Sequence, residues 1–147
     1  MKLLPDSNPG IGDVYYYPYV WLRQGADGEP EKDRPCCVAV RLPVGKRYRG
    51  ADVFMLALSQ SGVPYGGYGI QVPRAEIARL RKLDQSSETY LVTSEHNADL
   101  ADHPSFDSLE YLGTFSNNFM KSVVFPAIRE RLFSGNGEVA RSDADPR

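Results

Sequence analysis

The sequence predicts a mainly β, α+β domain: a small, strongly bent antiparallel barrel with a short inserted helix and a C-terminal helix. Two observations lead to this fold class. The chain contains five or six short runs of β-branched, aromatic and other apolar residues, separated by segments rich in Gly and Pro. Strands this short leave edges exposed, and closure of the sheet or a covering helix would hide them. At 147 residues, the chain is long enough for one domain with a sizeable core.

The predicted strands are residues 14–17 with a continuation over 19–22, 36–42, 53–58, 70–72, 90–93 and 109–114. The runs at 36–42 and 53–58 are continuously apolar, which is typical of central strands. A polar segment over residues 23–33 predicts a long loop, and its acidic end at 27–33 stands before the second strand. Residues 43–52 form a basic, hairpin-like connection, and residues 98–108 predict a further polar loop.

Two helices are predicted. Pro73 suits the first turn of a short helix that covers residues 75–83. Ser116 is a good N-cap for a longer helix over 117–133, in which apolar residues recur every four positions. Pro126 interrupts that pattern and predicts a kink or two helical pieces. We therefore expect one domain over residues 1–133 and a disordered tail over residues 134–147, where apolar residues are scarce.

Composition narrows the class of protein. No apolar run approaches the roughly 20 residues of a membrane helix, and the first residues lack the apolar core of a signal peptide. Cys36 and Cys37 are adjacent in a predicted strand and point to opposite faces, so no useful disulfide is expected between them. With two His residues that show no ligand spacing, we expect a reduced, cytoplasmic protein without metal or other cofactor.

Charge is unevenly distributed along the chain. Residues 34–82 carry nine Lys and Arg but two Asp and Glu, a net charge of +7, whereas residues 1–33 carry −3 and residues 83–147 carry −6. A basic block of this kind can bind a polyanion such as RNA or an acidic protein. Mutual neutralisation of the acidic and basic parts across the fold is an equally ordinary explanation.

Arg34 stands out because Arg34 and Pro35 directly precede the predicted strand at 36–42. Proline suits the first position of a strand, so Arg34 is expected at the rim of the sheet. The planar, permanently charged guanidinium there suits a phosphate or a carboxylate. A solvated surface charge is the ordinary alternative.

Three short segments, in this order, resemble the PemK/MazF toxins and, more narrowly, their divergent proteobacterial PemK-like branch. They are KDRPC at residues 32–36, GIQVP at residues 69–73 and SEHN at residues 94–97. The resemblance covers roughly residues 12–133. It implies an SH3-like barrel, commonly a homodimer, that cleaves single-stranded RNA without metal and is neutralised by a cognate antitoxin.

The resemblance also implies catalytic residues. The catalytic arginine of the family matches Arg34, and its catalytic threonine, at the end of the next strand, matches Ser59. Serine keeps the hydroxyl but lacks the methyl group that restricts the rotamer of threonine. We expect both side chains within reach of each other at one rim, although a strand-end serine commonly bonds only to local backbone.

Six further residues are predicted to contact RNA. The basic connection supplies Arg47 and Arg49, and the Gly-rich segment 63–69 supplies Tyr65 and Tyr68, which can stack on splayed bases. Glu95 and Asn97 are expected either to contact bases or to orient loops. His96 offers a base near neutral pH, but a plain loop histidine is the simpler interpretation.

Two functions follow from these residues. The first is a toxin-like, metal-independent endoribonuclease of a type II toxin–antitoxin system. The alternative is a non-catalytic module that binds RNA or a protein through the same surface. A gyrase poison of the kind that shares this barrel is disfavoured, because the terminal helix here ends in Arg131-Leu132-Phe133-Ser134 and lacks the Trp-Gly-Ile end of that toxin.

Overall fold

The computed structural model describes residues 9–25, 27–102 and 104–141. Within them the chain forms a mainly antiparallel sheet of eight strands and one helix of 18 residues near the C-terminal end. The mainly β class with a C-terminal helix is therefore confirmed. Residues 1–8 of the predicted domain and 142–147 of the predicted tail lie outside the described residues.

The strands are β1 (Asp13–Tyr17), β2 (Arg34–Arg41), β3 (Val53–Ser59), β4 (Gly69–Gln71), β5 (Tyr90–Val92), β6 (His96–Asp99), β7 (Glu110–Thr114) and β8 (Glu138–Ala140). Helix α1 covers Arg74–Ile77, which is shorter than predicted, and helix α2 covers residues 117–134. Short 3-10 turns occupy Leu22–Gln24 and Pro104–Ser108. The predicted continuation of the first strand over 19–22 is wrong, because the chain turns there instead of pairing.

The sheet has the order β4-β5-β3-β2-β1-β7, and β3 also pairs with β6. All of these neighbours are antiparallel; β8 is added to β6 in parallel. The predicted closed barrel is wrong, because the sheet does not close on itself. The segment after α1 instead covers part of the β7 edge, where the Arg81 amide donates to the Leu112 carbonyl at 2.8 Å.

Both faces of the central strands are buried, which explains their continuous apolar runs. Cys37 and Leu56 pack on the face that α2 covers, whereas Cys36 and Met55 pack on the opposite face with Tyr15 and Tyr17. The two cysteines therefore lie on opposite faces and are free thiols, as the alternation of a strand predicts.

Helix α2 begins at the predicted cap, since the Ser116 hydroxyl accepts from the Phe119 amide at 3.1 Å. Its middle, Met120–Val124, is a π-helical turn, and regular α-helix resumes over Phe125–Ser134. Pro126 lies at the start of that last piece, where a missing amide donor does least harm. The two helical pieces that Pro126 predicts are thus found, joined by a π turn.

The chain beyond the helix corrects the predicted tail. Gly135 ends the helix in a left-handed conformation, and Glu138–Ala140 then forms β8 beside β6. Predicted disorder is therefore wrong for residues 134–141. Strand β6 was also missed, because His96–Asp99 is polar in sequence, yet all four of its residues are buried. Across the part of the chain that the structure describes, no helix is long and apolar enough to span a membrane.

Candidate functional site

Arg34 and Ser59 lie at the same end of the central strand pair. Strands β2 and β3 are antiparallel with Cys36 opposite Ala57, so the register continued by two residues on each strand brings Arg34 opposite Ser59. Both residues line one cleft of about 460 Å³, which we call the arginine cleft. The structure thus places both residues at one rim, as expected, where they line the same cleft. The cleft is completed by Tyr16, Lys32, Asp33, Pro35, Leu58, Gln60, Ser61, Lys82 and Leu83.

The guanidinium of Arg34 is positioned by an aromatic ring. Its central carbon lies 4.8 Å from the centre of the Trp21 ring, a cation–π contact that restricts the side chain without neutralising its charge. Its Nε is buried without a hydrogen-bond partner, and no carboxylate of the described residues forms an ion pair with it. An oriented cation without a counter-charge is suited to bind an anion.

Other charges surround the arginine cleft. Lys32 lines it without an ion pair among the described residues, and Lys82 pairs with Glu110 at 2.5 Å. In the groove next to the arginine cleft, Arg23 forms an exposed ion pair with Glu31 at 3.0 Å. Exposed pairs of this kind are weak and can exchange partners when a polyanion approaches.

The hydroxyl of Ser59 is engaged in a turn. It donates to the Gly62 carbonyl at 2.5 Å and accepts from the Ser61 amide at 3.3 Å. Ser59 itself is 6 % exposed, while Ser61 beside it is exposed and lines the same cleft. The local backbone bonding that is common for strand-end serines is thus present here.

Tyr65 and Tyr68 border a second cleft of about 500 Å³, which we call the aromatic cleft. Tyr65 is fully exposed and Tyr68 is 56 % exposed. A groove of about 380 Å³, lined by Arg34, Ser59, Trp21 and Tyr65 among others, shares residues with both clefts and connects them. Tyr65 therefore lies in the groove that leads to the arginine cleft, whereas Tyr68 lines only the aromatic cleft.

Glu95 lines the aromatic cleft but is only 6 % exposed. Its Oε1 accepts hydrogen bonds from the Leu22 amide at 2.8 Å and from the Tyr19 hydroxyl at 3.2 Å. Burial raises the pKa of Glu95, while those bonds lower it in part. Glu95 thus orients a loop, as one of the two sequence interpretations expects.

Asn97 cannot contact RNA bases, because it is fully buried. Its amide group donates to the Val20 carbonyl at 2.7 Å and accepts from the Val20 amide at 2.9 Å. The Asn97 side chain therefore makes with the Val20 backbone the pair of hydrogen bonds that a neighbouring strand would otherwise make. The loop-orienting interpretation is the correct one for Asn97.

Arg47 and Arg49 lie at the opposite end of the β2–β3 pair, in the connection between the two strands. Eight strand residues separate the ends, a distance of about 23 Å. Arg47 forms a loose ion pair with Asp102 at 3.9 Å, and Arg49 packs on Tyr48. The structure does not bring these two arginines to the arginine cleft, because a hairpin connection lies opposite to the free ends of its strands.

His96 is buried in β6 and is not available as a catalytic base. Its Nδ1 accepts from Arg131 at 2.8 Å, and its Nε2 bonds to Glu138 at 3.0 Å, which defines the neutral ring with the proton on Nε2. Burial, together with Arg131, lowers the pKa of His96 to about 3. The Glu138 carboxylate faces Nε2, and Arg131 occupies Nδ1, the nitrogen that a second proton needs.

Because the pKa of His96 is lowered in the folded protein, we expect the free energy of unfolding to decrease in acid. The pKa is about 3 in the folded protein and 6.5 as the ordinary value, so below pH 6.5 the unfolded chain binds the extra proton. The contribution of the neutral His96 to the free energy of unfolding is therefore complete above pH 6.5 and is lost progressively as the pH falls toward 3. Urea unfolding at several pH values should show a decline that His96→Gln reduces by up to about 1.4 kcal/mol per pH unit between pH 6 and 5. Parallel curves for both proteins would contradict this role.

Several residues of the site were missed in the sequence. Trp21 seemed to continue a strand, but it instead holds Arg34. Ser61 and Lys82 come to the cleft from the turn after β3 and from the segment after α1. The cluster of Ser59, Ser61 and Gly62 at a strand end was a signal for such a turn, whereas nothing near Lys82 pointed to the cleft.

Comparisons with protein-family models, with curated proteins and with solved structures find no match to this chain. The fold and the site define the protein as a mainly β domain with two neighbouring clefts. One cleft contains the oriented Arg34, and the other is lined by aromatic side chains. Function is therefore argued from the two clefts.

Proposed function

We propose that this protein binds single-stranded RNA across the two clefts and cleaves it at a phosphate held by Arg34. The observation that carries the proposal is the Arg34 guanidinium, stacked on Trp21 and without a carboxylate partner among the described residues. A planar donor fork matches phosphate oxygens, and the exposed tyrosines next to it match the faces of unpaired bases. The resemblance to PemK/MazF toxins leads to the same reaction.

The reaction needs only groups that RNA, the cleft and solvent supply. The ribose 2′-oxygen attacks the adjacent phosphorus and loses its proton to a base in the cleft, the bond from phosphorus to the 5′-oxygen breaks, and the leaving oxygen gains a proton from solvent water. Products are a 2′,3′-cyclic phosphate and a 5′-hydroxyl. Arg34 would stabilise the charge of the pentavalent phosphate. Asp33, which lines the same cleft, is the carboxylate that would accept the 2′-proton.

One observation favours a second candidate, RNA binding without cleavage. The Ser59 hydroxyl donates its proton to the Gly62 carbonyl, so it is not free to orient the 2′-hydroxyl as a donor. Of the carboxylates near Arg34, Asp33 is solvent-exposed and Glu31 is paired with Arg23, so neither is held in place beside the arginine. In this case the clefts would hold RNA, or an acidic protein, without reaction.

Single-turnover cleavage of a mixed-sequence RNA in the presence of EDTA tests the proposal. We expect cleavage that chelator does not abolish, Ser59→Thr to retain it, and Ser59→Ala to reduce it by about 10²-fold if the hydroxyl contributes to the transition state. Urea unfolding of Ser59→Ala should show a loss of about 1 kcal/mol from the broken turn bond. A stability loss without a rate loss would assign the hydroxyl to the turn alone. RNA binding without any cleavage would support the second candidate.

Two partners belong to the same proposal: a second copy of the chain and a cognate antitoxin. Exposed apolar side chains that could meet a second copy include Ile11 and Val63. Light scattering at micromolar concentration should give about twice the chain mass, and a strict monomer would count against self-association. Co-expression with the product of a neighbouring small reading frame tests for the antitoxin.

A further inference from the structure

We propose that the aromatic cleft is a nucleobase subsite that selects guanine, with Glu95 accepting hydrogen bonds from the edge of the base. This inference rests on the proposed RNA binding and deepens it, because it names the base that neighbours the phosphate at Arg34. Three features support it: the aromatic walls, the oriented carboxylate acceptor, and the short connection to the arginine cleft.

The walls of the cleft are aromatic, and its two tyrosines are exposed whereas Trp21 is buried. Trp21, Tyr65 and Tyr68 surround it, together with Pro64 and the backbone of Gly66 and Gly67. Tyr65 is fully exposed, although a tyrosine ring without a function is normally at least partly covered. Such rings can stack on a base of any sequence, so they supply affinity rather than selectivity.

Glu95 supplies the selectivity. One carboxylate oxygen, Oε1, already accepts the Leu22 amide and the Tyr19 hydroxyl, which fixes the orientation of the group. The other oxygen, Oε2, accepts no hydrogen bond from a described residue, although Glu95 is 6 % exposed and lines the cleft. Oε2 is not among the fully buried atoms, so it is accessible from the cleft and can accept hydrogen bonds that a ligand brings.

The pattern of donors on each base decides which one fits. Guanine presents a ring N1–H and an exocyclic amino group side by side, so both can donate to Oε2. Adenine and cytosine place a ring nitrogen acceptor beside their amino group, and uracil places carbonyl oxygens on both sides of its one N–H. These acceptors would face the carboxylate oxygen and repel it. Guanine is therefore the base that the cleft favours.

The depth of the cleft is set by backbone contacts. The Tyr68 carbonyl accepts from the Thr93 amide at 3.1 Å and from the Ser94 amide at 3.3 Å, which ties the tyrosine-bearing segment to the chain just before Glu95. A Cβ atom at Gly67 would lie 2.8 Å from the Ser94 hydroxyl oxygen and 3.1 Å from the Pro64 carbonyl oxygen, so a side chain there would displace that hydroxyl and crowd the Pro64 backbone. The aromatic rings and Glu95 thus have a defined spacing.

The connection to Arg34 makes the two clefts parts of one nucleotide site. Trp21 lines the aromatic cleft and also carries the Arg34 guanidinium on its ring. Tyr65 lines the groove that joins the two clefts. A guanine in the aromatic cleft would therefore lie within one nucleotide of a phosphate at Arg34.

Binding of labelled 2′-O-methyl hexanucleotides, which lack the attacking hydroxyl, tests this subsite. An all-uracil oligomer is compared by fluorescence anisotropy with oligomers that carry one guanine, adenine or cytosine. We expect the guanine oligomer to bind the wild-type protein about 10- to 100-fold more tightly than the other three.

Glu95→Gln is the decisive variant. The inner oxygen must still accept from Tyr19 and Leu22, so the amide nitrogen takes the position of Oε2 and turns an acceptor into a donor. The guanine oligomer should then bind no more tightly than the uracil oligomer. Glu130→Gln, an exposed carboxylate on α2, is the matched control and should leave the guanine preference unchanged.

Tyr65 separates stacking from base selection. Tyr65→Ala should weaken binding of all four oligomers by about tenfold, Tyr65→Phe should not, and Tyr111→Ala on the exposed part of β7 is the control. Equal affinities for all four oligomers, unaffected by Glu95→Gln but still dependent on Arg34, would overturn the guanine subsite alone. No binding of any oligomer by the folded protein would overturn the proposed function itself.

Discussion

Replacing Arg34 with alanine should lower the single-turnover cleavage rate by about 10²–10³-fold, because one preorganised donor to the developing phosphate charge is lost. The free energy of unfolding should change far less than the cleavage rate, since the Arg34 side chain makes a cation–π contact but no ion pair among the described residues. Rates measured with saturating protein over a labelled RNA, with EDTA present, provide the check.

Two variants control this experiment. Arg34→Lys keeps the charge but loses the planar fork and its stacking on Trp21, so an intermediate rate is expected. Arg47→Ala removes an arginine at the far end of the strand pair, about 23 Å away, and should leave the rate of the chemical step unchanged. Equal rates for wild type and Arg34→Ala would mean that the clefts bind RNA without cleaving it.

Replacing Asn97 with alanine should lower the free energy of unfolding by about 2–4 kcal/mol. Two direct hydrogen bonds to Val20 are lost, and the buried amide and carbonyl of that residue remain without their partner. Urea denaturation at neutral pH measures the change. Loss of the Asn97 side chain should also loosen residues 18–22, and RNA binding should weaken because this segment carries Trp21.

Asn118→Ala is the matched control for Asn97. Asn118 is exposed on α2 and makes one surface contact, with the Ser122 hydroxyl at 3.3 Å. Its replacement should change the unfolding free energy by about 0.5 kcal/mol or less. If the two alanine variants were equally stable, the side chain of Asn97 would not hold the 18–22 segment.

The position of Arg34 beside Ser59 was predictable because it follows from local rules. Two apolar runs joined by a short basic connection form an antiparallel hairpin, and the start of one strand then lies opposite the end of the other. No such rule applied to Arg47 and Arg49, which share the charge of the basic block but lie at the closed end of the same hairpin. Charge along the chain does not state at which end of a strand pair a residue lies.

The sequence also could not show whether the sheet closes into a barrel or stays open. Short strands demand that their edges be protected, but they do not say how. Here β3 pairs with β5 at one end and with β6 at the other, and the segment after α1 covers part of the β7 edge. Edge protection is therefore achieved without the predicted barrel.

By itself, the sequence determined the apolar strands, the terminal helix with its Ser116 cap, and the arginine at the rim, because periodicity, caps and proline act over a few residues. Tertiary structure alone decided that the polar strand β6 is buried and that β8 pairs with it. It also decided that the Asn97 side chain bonds to the backbone of Val20, 77 residues away in sequence. A polar side chain is buried when distant partners satisfy it, and those partners are set by the folded chain rather than by its neighbours.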